Sequence, residues 1–162
     1  MSDSDGVGDL EALLREETRG EYVIERELGR GSGVLYDATE IGSRRRVAIK
    51  AVSHRSAHHR LRGVRLAARF NHHNIVPLYR IDASARLSWY AMPYVDGEPL
   101  AAKLEREARL SLGATIAILR QVGDALDYVH RCGIRWVPAP FERSRCDRRR
   151  VWVMKGDLPR CD

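Results

Sequence analysis

Long apolar runs are missing from this 162-residue sequence: no window approaches the roughly 18 uninterrupted apolar residues that a membrane-spanning helix needs. The first residues, MSDSDGVGDLEALLREE, are acidic where a secretory leader is basic and then apolar, so a cytoplasmic chain with no membrane partner is expected. Cysteine is scarce. Cys132, Cys146 and Cys161 are odd in number and form no CxxC pair, which excludes a disulfide framework and a four-cysteine zinc site and leaves three reduced thiols. Acid is missing locally: between Ile41 and Ile81 there is no Asp or Glu, but there are ten Lys or Arg residues.

What is present suffices for one folded domain with tails. Apolar residues make up 44% and charged ones 31%, enough for a modest packed core. The formal net charge of +6 is unevenly spread: residues 1–20 carry −4, 21–40 carry −3, 41–81 carry +10, 82–134 carry −1 and 135–162 carry +4. A block of that kind is most simply a solvated helix face with its loops. An acidic protein partner is the alternative use of it, and nucleic acid is not expected.

The pattern along the chain is α+β. Residues 1–21 read as an acidic flexible tail, with at most a weak helical turn around Leu10, Leu13 and Leu14. Residues 22–28 and 34–39 read as strands around the segment Gly29-Arg30-Gly31-Ser32-Gly33, and residues 47–52 as a third, giving an antiparallel meander. Residues 56–70 show helical spacing with a basic outer face. Two strands are predicted at 75–81 and 87–93. A short helix follows from Pro99 to about Ala108, then a longer one capped by Ser111 and closed by Gly133, with Ile116, Leu119, Val122, Leu126 and Val129 as its apolar stripe. Residues 135–162 lose periodicity and read as a basic irregular tail with one short strand at 151–154. Their richness in Arg, Trp, Cys and Pro fits an origin in a shifted reading frame, testable by translating the other two frames beyond Ile134.

A turn of glycines lets backbone N–H groups approach phosphate oxygens, because no Cβ stands in the way. Lys50, on the third strand, can add a point charge to the same phosphates. No Gly-Lys-Ser/Thr follows the glycines, and a strand rather than a helix comes after them. The segment is therefore neither a P-loop nor a dinucleotide fingerprint.

Five segments in order, Leu28-Gly29-Arg30-Gly31 with Val34-Leu35-Tyr36, Val47-Ala48-Ile49-Lys50, His73-Asn74-Ile75-Val76-Pro77-Leu78-Tyr79, Tyr90 to Gly97, and Gln121 to Ile134, resemble the first half of a bacterial-type serine/threonine protein kinase domain. The resemblance covers residues 22–134. It implies a small lobe with a five-stranded antiparallel sheet and one main helix over residues 22–95, followed by the first helices of an incomplete large lobe. It also implies ATP as cofactor. Gly29, Arg30, Gly31, Ser32 and Gly33 would cover its phosphates and Lys50 would contact them. Ala48 would lie against the adenine with Met92 behind it, and Pro93, Tyr94 and Val95 would form the hinge.

The departures from that family bear on activity. One residue rather than two separates Gly31 from Gly33. Gly63 stands where the family's helix carries the glutamate that orients the lysine, and no carboxylate lies within 41–81 to replace it. After Ile134 the chain reads Arg135-Trp136-Val137-Pro138-Ala139-Pro140 in place of the His-Arg-Asp loop, and Lys155-Gly156-Asp157 in place of Asp-Phe-Gly. None of Val137, Pro138 and Ala139 can serve as a base or hold Mg²⁺, so the metal would need an acidic ligand from elsewhere. The expectation is a truncated, pseudokinase-like chain that binds ATP but transfers no phosphate alone, with no catalytic and no metal-ligating residues. A non-catalytic binding or scaffold module using the basic 41–81 surface for an acidic protein or nucleic acid is the alternative. The histidines His54 and His58, His58-His59 and His72-His73 have no carboxylate or cysteine near them in sequence, and are expected to be solvent-exposed or capping residues.

Overall fold

The computed structural model describes residues 5–31, 33–53, 64–65, 68–133, 145–146 and 151–152. The chain divides into two compact units, Met1–Arg62 with Leu78–Tyr94, and Gly63–Pro77 with Val95–Asp162.

The first unit is a five-stranded antiparallel sheet of β1 (Tyr22–Arg30), β2 (Val34–Glu40), β3 (Arg45–Ser53), β4 (Arg80–Ala83) and β5 (Leu87–Pro93), in the order β1-β2-β3-β5-β4. The meander is as the sequence predicts. The strand expected at 75–81 instead begins at Arg80. Pro77 has no N–H to give a ladder, and Ile75 and Val76 are buried without strand pairing to β5.

Side chains alternate across a strand, so the register separates two faces. One face carries Tyr22, Ile24, Val34, Tyr36, Ala38, Val47, Ile49, Ala51, Leu87, Trp89 and Ala91 in a single buried cluster. Trp89 meets Tyr22 edge to face, with ring centroids 5.6 Å apart. Leu10 and Leu14 of helix α1 (Asp5–Glu17) complete this cluster, with Leu13 packed against it. The flexible tail expected for this segment is thus a 13-residue helix over residues 5–17. Its intrinsic pattern is weak because Gly6 and Gly8 lie in it, and tertiary burial of its leucines supplies what propensity lacks. Thr18 ends the helix by donating both its backbone N–H and its Oγ1 hydrogen to the Leu14 carbonyl, at 2.9 and 2.7 Å. Gly20, at φ +82°, then turns the chain into β1. Glu16 pairs with Arg86 at 3.0 Å, pinning the helix to the β4–β5 turn.

In the second unit, α2 (Leu100–Glu107) and α3 (Leu112–Arg131) follow the predicted pair of helices. Ser111 Oγ accepts the Ala114 N–H at 3.2 Å, and Gly133 closes α3 at φ +79°. The core here is Phe70, Ile75, Leu100, Val122, Ala125 and Val129. The predicted stripe is therefore only half used: Ile116 and Leu119 are exposed, as is Leu112. Of the basic helix expected over 56–70, the Ala68 N–H bonded to the Val64 carbonyl at 2.9 Å is the one helical hydrogen bond among the described residues; 54–63 and 66–67 lie outside them. In the C-terminal stretch, β7 (Arg145–Cys146) pairs antiparallel with β6 (Glu98–Pro99) and with β8 (Val151–Trp152). Val153 and Met154 of the predicted strand, and Asp157, lie outside the described residues.

Candidate functional site

The sheet face opposite α1 gathers the residues that the sequence singled out. Directly paired residues on antiparallel strands share a face. Leu35 pairs with Lys50 and Lys50 with Tyr90; Asp37 pairs with Ala48 and Ala48 with Met92. Ala48 and Met92 are buried and Lys50 is half-buried, which sets one ammonium group beside a small apolar patch. Pro93 ends β5, paired with Val47, and Tyr94 follows it. Val95 is buried in the second unit.

The glycine segment forms the β1–β2 hairpin tip. Gly29 and Arg30 are the last residues of β1, and Arg30 pairs with Val34 across the hairpin. Ser32 lies outside the described residues. The Gly31 N–H donates to the Gly33 carbonyl at 2.9 Å, closing the tip on itself. Gly33 sits tight on β3: a Cβ there would collide with the Ala51 carbonyl oxygen and come within 2.9 Å of Val52 Cγ2. Arg30 is committed to Glu27, with Nε 2.6 Å from Oε1. The shortened hairpin thus spends one glycine N–H internally and needs one glycine for close packing.

The pattern of the sequence did not single out a charged clamp beside this patch. Asp37 is buried, and Arg46 grips it with two hydrogen bonds, Nε to Oδ1 at 2.9 Å and Nη2 to Oδ2 at 2.6 Å. Arg26 Nε approaches the same carboxylate at 3.5 Å. The Arg46 hydrogen bonds hold the Asp37 carboxyl below its ordinary range. The Arg46 guanidinium also lies over the Tyr94 ring, 3.6 Å from its centroid, so one arginine ties the sheet to the predicted hinge. Strand alternation from Leu35 to Asp37, and the short 41–44 turn that sets Arg46 opposite Thr39, were the signals available in the sequence. Arg45 similarly pairs with Glu40 at 2.9 Å and lies 3.7 Å from the Tyr79 ring centroid. Arg80 pairs with Glu21 and Asp82. Arg45, Arg46 and Arg80 of the basic block are therefore engaged within the unit.

The model for the protein kinase domain matches residues 22–137. The chain belongs to the protein kinase family. It is 32% identical over 130 residues to the serine/threonine-protein kinase PknE of Mycobacterium tuberculosis (strain ATCC 25177 / H37Ra), an alignment covering 75% of this chain and 23% of PknE. Over 125 residues it is 33% identical to the serine/threonine-protein kinase Pkn1 of Myxococcus xanthus, covering 71% of this chain and 17% of Pkn1. The chain thus spans about a fifth of the length of these curated relatives. Among solved structures, Rad53 1–466 in complex with AMP-PNP superposes with a TM-score of 0.77 at 21% identity, covering 85% of this chain and 38% of that one. The fold is that of a kinase small lobe with part of the large lobe. Helix α1 covers the sheet face opposite the one that bears Lys50. Among the described residues, no helix is long and apolar enough to cross a membrane.

Proposed function

We propose that this kinase-family chain binds ATP through the sheet face bearing Lys50 and, by itself, transfers no phosphate. The observation that carries this is the register of β2, β3 and β5, which sets Lys50 between Leu35 and Tyr90 on the face shared by Ala48 and Met92. ATP would supply an adenine for that apolar patch and phosphates for the lysine. Of this chain's own residues, Lys50 would hold phosphate charge, Ala48 and Met92 would exclude water from the base, and the Asp37–Arg46 clamp would hold Tyr94 at the hinge. Gly31 would contribute less than its counterparts in the family, its N–H being taken by the Gly33 carbonyl. The absence of transfer rests on residue chemistry: residues 135–140 offer no carboxylate where the family places its base.

Calorimetric titration of the full chain with ATP tests the binding. Saturable uptake is expected, weakened about tenfold by Lys50→Met through loss of a charged phosphate contact. Unchanged affinity in Lys50→Met would overturn the site. Radiolabel transfer from γ-labelled ATP to the chain itself or to a generic basic protein substrate is expected to be absent, and its appearance would overturn the inactive reading.

A further inference from the structure

Away from the Lys50 face, the second unit brings together three side chains of a different chemistry. Gln121, Asp124 and Tyr128 lie three and four residues apart, and so share one face of α3. Residues 70–74 lie along that face. Asn74 Nδ2 donates to Gln121 Oε1 at 3.0 Å, and the Asn71 N–H donates to the Tyr128 hydroxyl at 3.1 Å. The Phe70 ring meets Tyr128 edge-on at 5.9 Å. The His72 ring stacks on His73, with centroids 4.4 Å apart and planes 28° apart, and its centroid is 5.1 Å from that of Tyr128. Both imidazoles converge on one carboxylate oxygen: His72 Nε2 is 3.2 Å and His73 Nε2 3.4 Å from Asp124 Oδ2. Asp124 lies some fifty residues along the chain from the two histidines, and for that reason no sequence spacing reveals the cluster.

We propose that His72, His73 and Asp124 form a binding site for a divalent transition-metal ion of the zinc class. The three ligand atoms lie within 4.8 Å of one another. In a tetrahedral zinc site, with bonds of about 2.0–2.2 Å, neighbouring ligand atoms are about 3.3–3.5 Å apart. The two Nε2 to Oδ2 separations already have that edge length, so an ion can join them with little rearrangement. Two imidazole nitrogens and one carboxylate oxygen suit zinc, cobalt or nickel and disfavour magnesium and calcium, which take oxygen donors. His73 and Asp124 are exposed, so solvent can reach the site and complete the coordination. His72 is the more buried ligand, in ring contact with His73 and Tyr128.

One local contact sets a cost. His72 Nδ1 accepts the Asn74 backbone N–H at 3.2 Å, so its ring proton sits on Nε2 and points to Asp124. An ion at Nε2 takes the place of that proton, which moves to Nδ1, and the Asn74 contact is lost. Moderate rather than tight affinity follows.

The test is titration of the untagged full chain with cobalt(II) chloride and with zinc chloride, followed by visible absorption for cobalt and by melting temperature for zinc. One saturable equivalent is expected, with a melting temperature raised by zinc and restored by EDTA. His73→Ala, at an exposed position, and Asp124→Asn should each weaken uptake at least about tenfold, the loss that changing even a ligand's outer partner typically brings. A His54→Ala/His58→Ala double variant should bind as the parent does. Should Asp124→Asn fail to fold, His73→Ala and His73→Gln carry the test alone. Undiminished binding in His73→Ala, a thiolate-to-cobalt charge-transfer band, or no saturable uptake by the parent chain would overturn the site.

Discussion

Asp37 is a carboxylate buried in a sheet, stabilised there by the two Arg46 hydrogen bonds and the nearby Arg26. Because those partners hold its folded-state pKa below the ordinary aspartate value, the native state binds fewer protons than the unfolded chain. The stability it contributes is fully present above about pH 4 and is lost as pH falls through the depressed value. Asp37→Asn is expected to lower stability at pH 7 by roughly 1–3 kcal/mol and to flatten the acid limb of the stability profile. Urea unfolding at pH 7 and at successive acid steps checks both effects. At this scale the sequence was partly transparent. The strand position of Lys50 was readable from the apolar run around it, and Ser111 and Gly133 were readable because capping chemistry is local. The partnership of Asp37 with Arg46 and Tyr94 depends on strand register, and that of His72 and His73 with Asp124 on helix docking. Neither is written in neighbouring residues.

At the scale of elements, α1 shows what periodicity alone misses. Leu10, Leu13 and Leu14 are three apolar residues in an acidic, glycine-containing stretch, too few to distinguish a helix from a tail. The sheet decides, by offering a face of aromatic and β-branched side chains that one leucine-bearing helix can cover. Leu14 is wholly buried there. Leu14→Ala is expected to cost about 2–5 kcal/mol, the range for a large-to-small change in a packed core, whereas Val23→Ala on exposed β1 surface should be nearly neutral. Thermal unfolding followed by circular dichroism separates the two. The misplaced start of β4 has a related origin: residues 75–81 read as one apolar run, yet Pro77 breaks the ladder and Ile75 is used in a different core. The β1–β2–β3 meander needed no such arbitration, since its strands are bounded by glycine and serine.

Across the molecule, the +10 block between 41 and 81 reads most simply as solvated surface, yet Arg45, Arg46 and Arg80 are matched by Glu40, Asp37, Glu21 and Asp82. Fewer free cations remain than the count implies. Apolar surface is the more consequential exposure: Leu112, Ile116 and Leu119 lie on α3 at spacings of four and three, with Leu112 76% exposed. Such a stripe favours self-association. The full chain is expected to associate with rising concentration in sedimentation velocity, and Leu112→Glu with Leu119→Glu to shift it toward monomer without lowering its melting temperature.

Family similarity starts at residue 22, while the hydrophobic cluster of the first unit reaches back to Leu10. Homology and cooperativity therefore draw different borders on this polypeptide. An expression fragment cut where the alignment begins would strip the leucines of α1 from the cluster that holds Ile49 and Trp89 and present a wet, aromatic sheet. A fusion partner joined ahead of residue 5 leaves that cover intact.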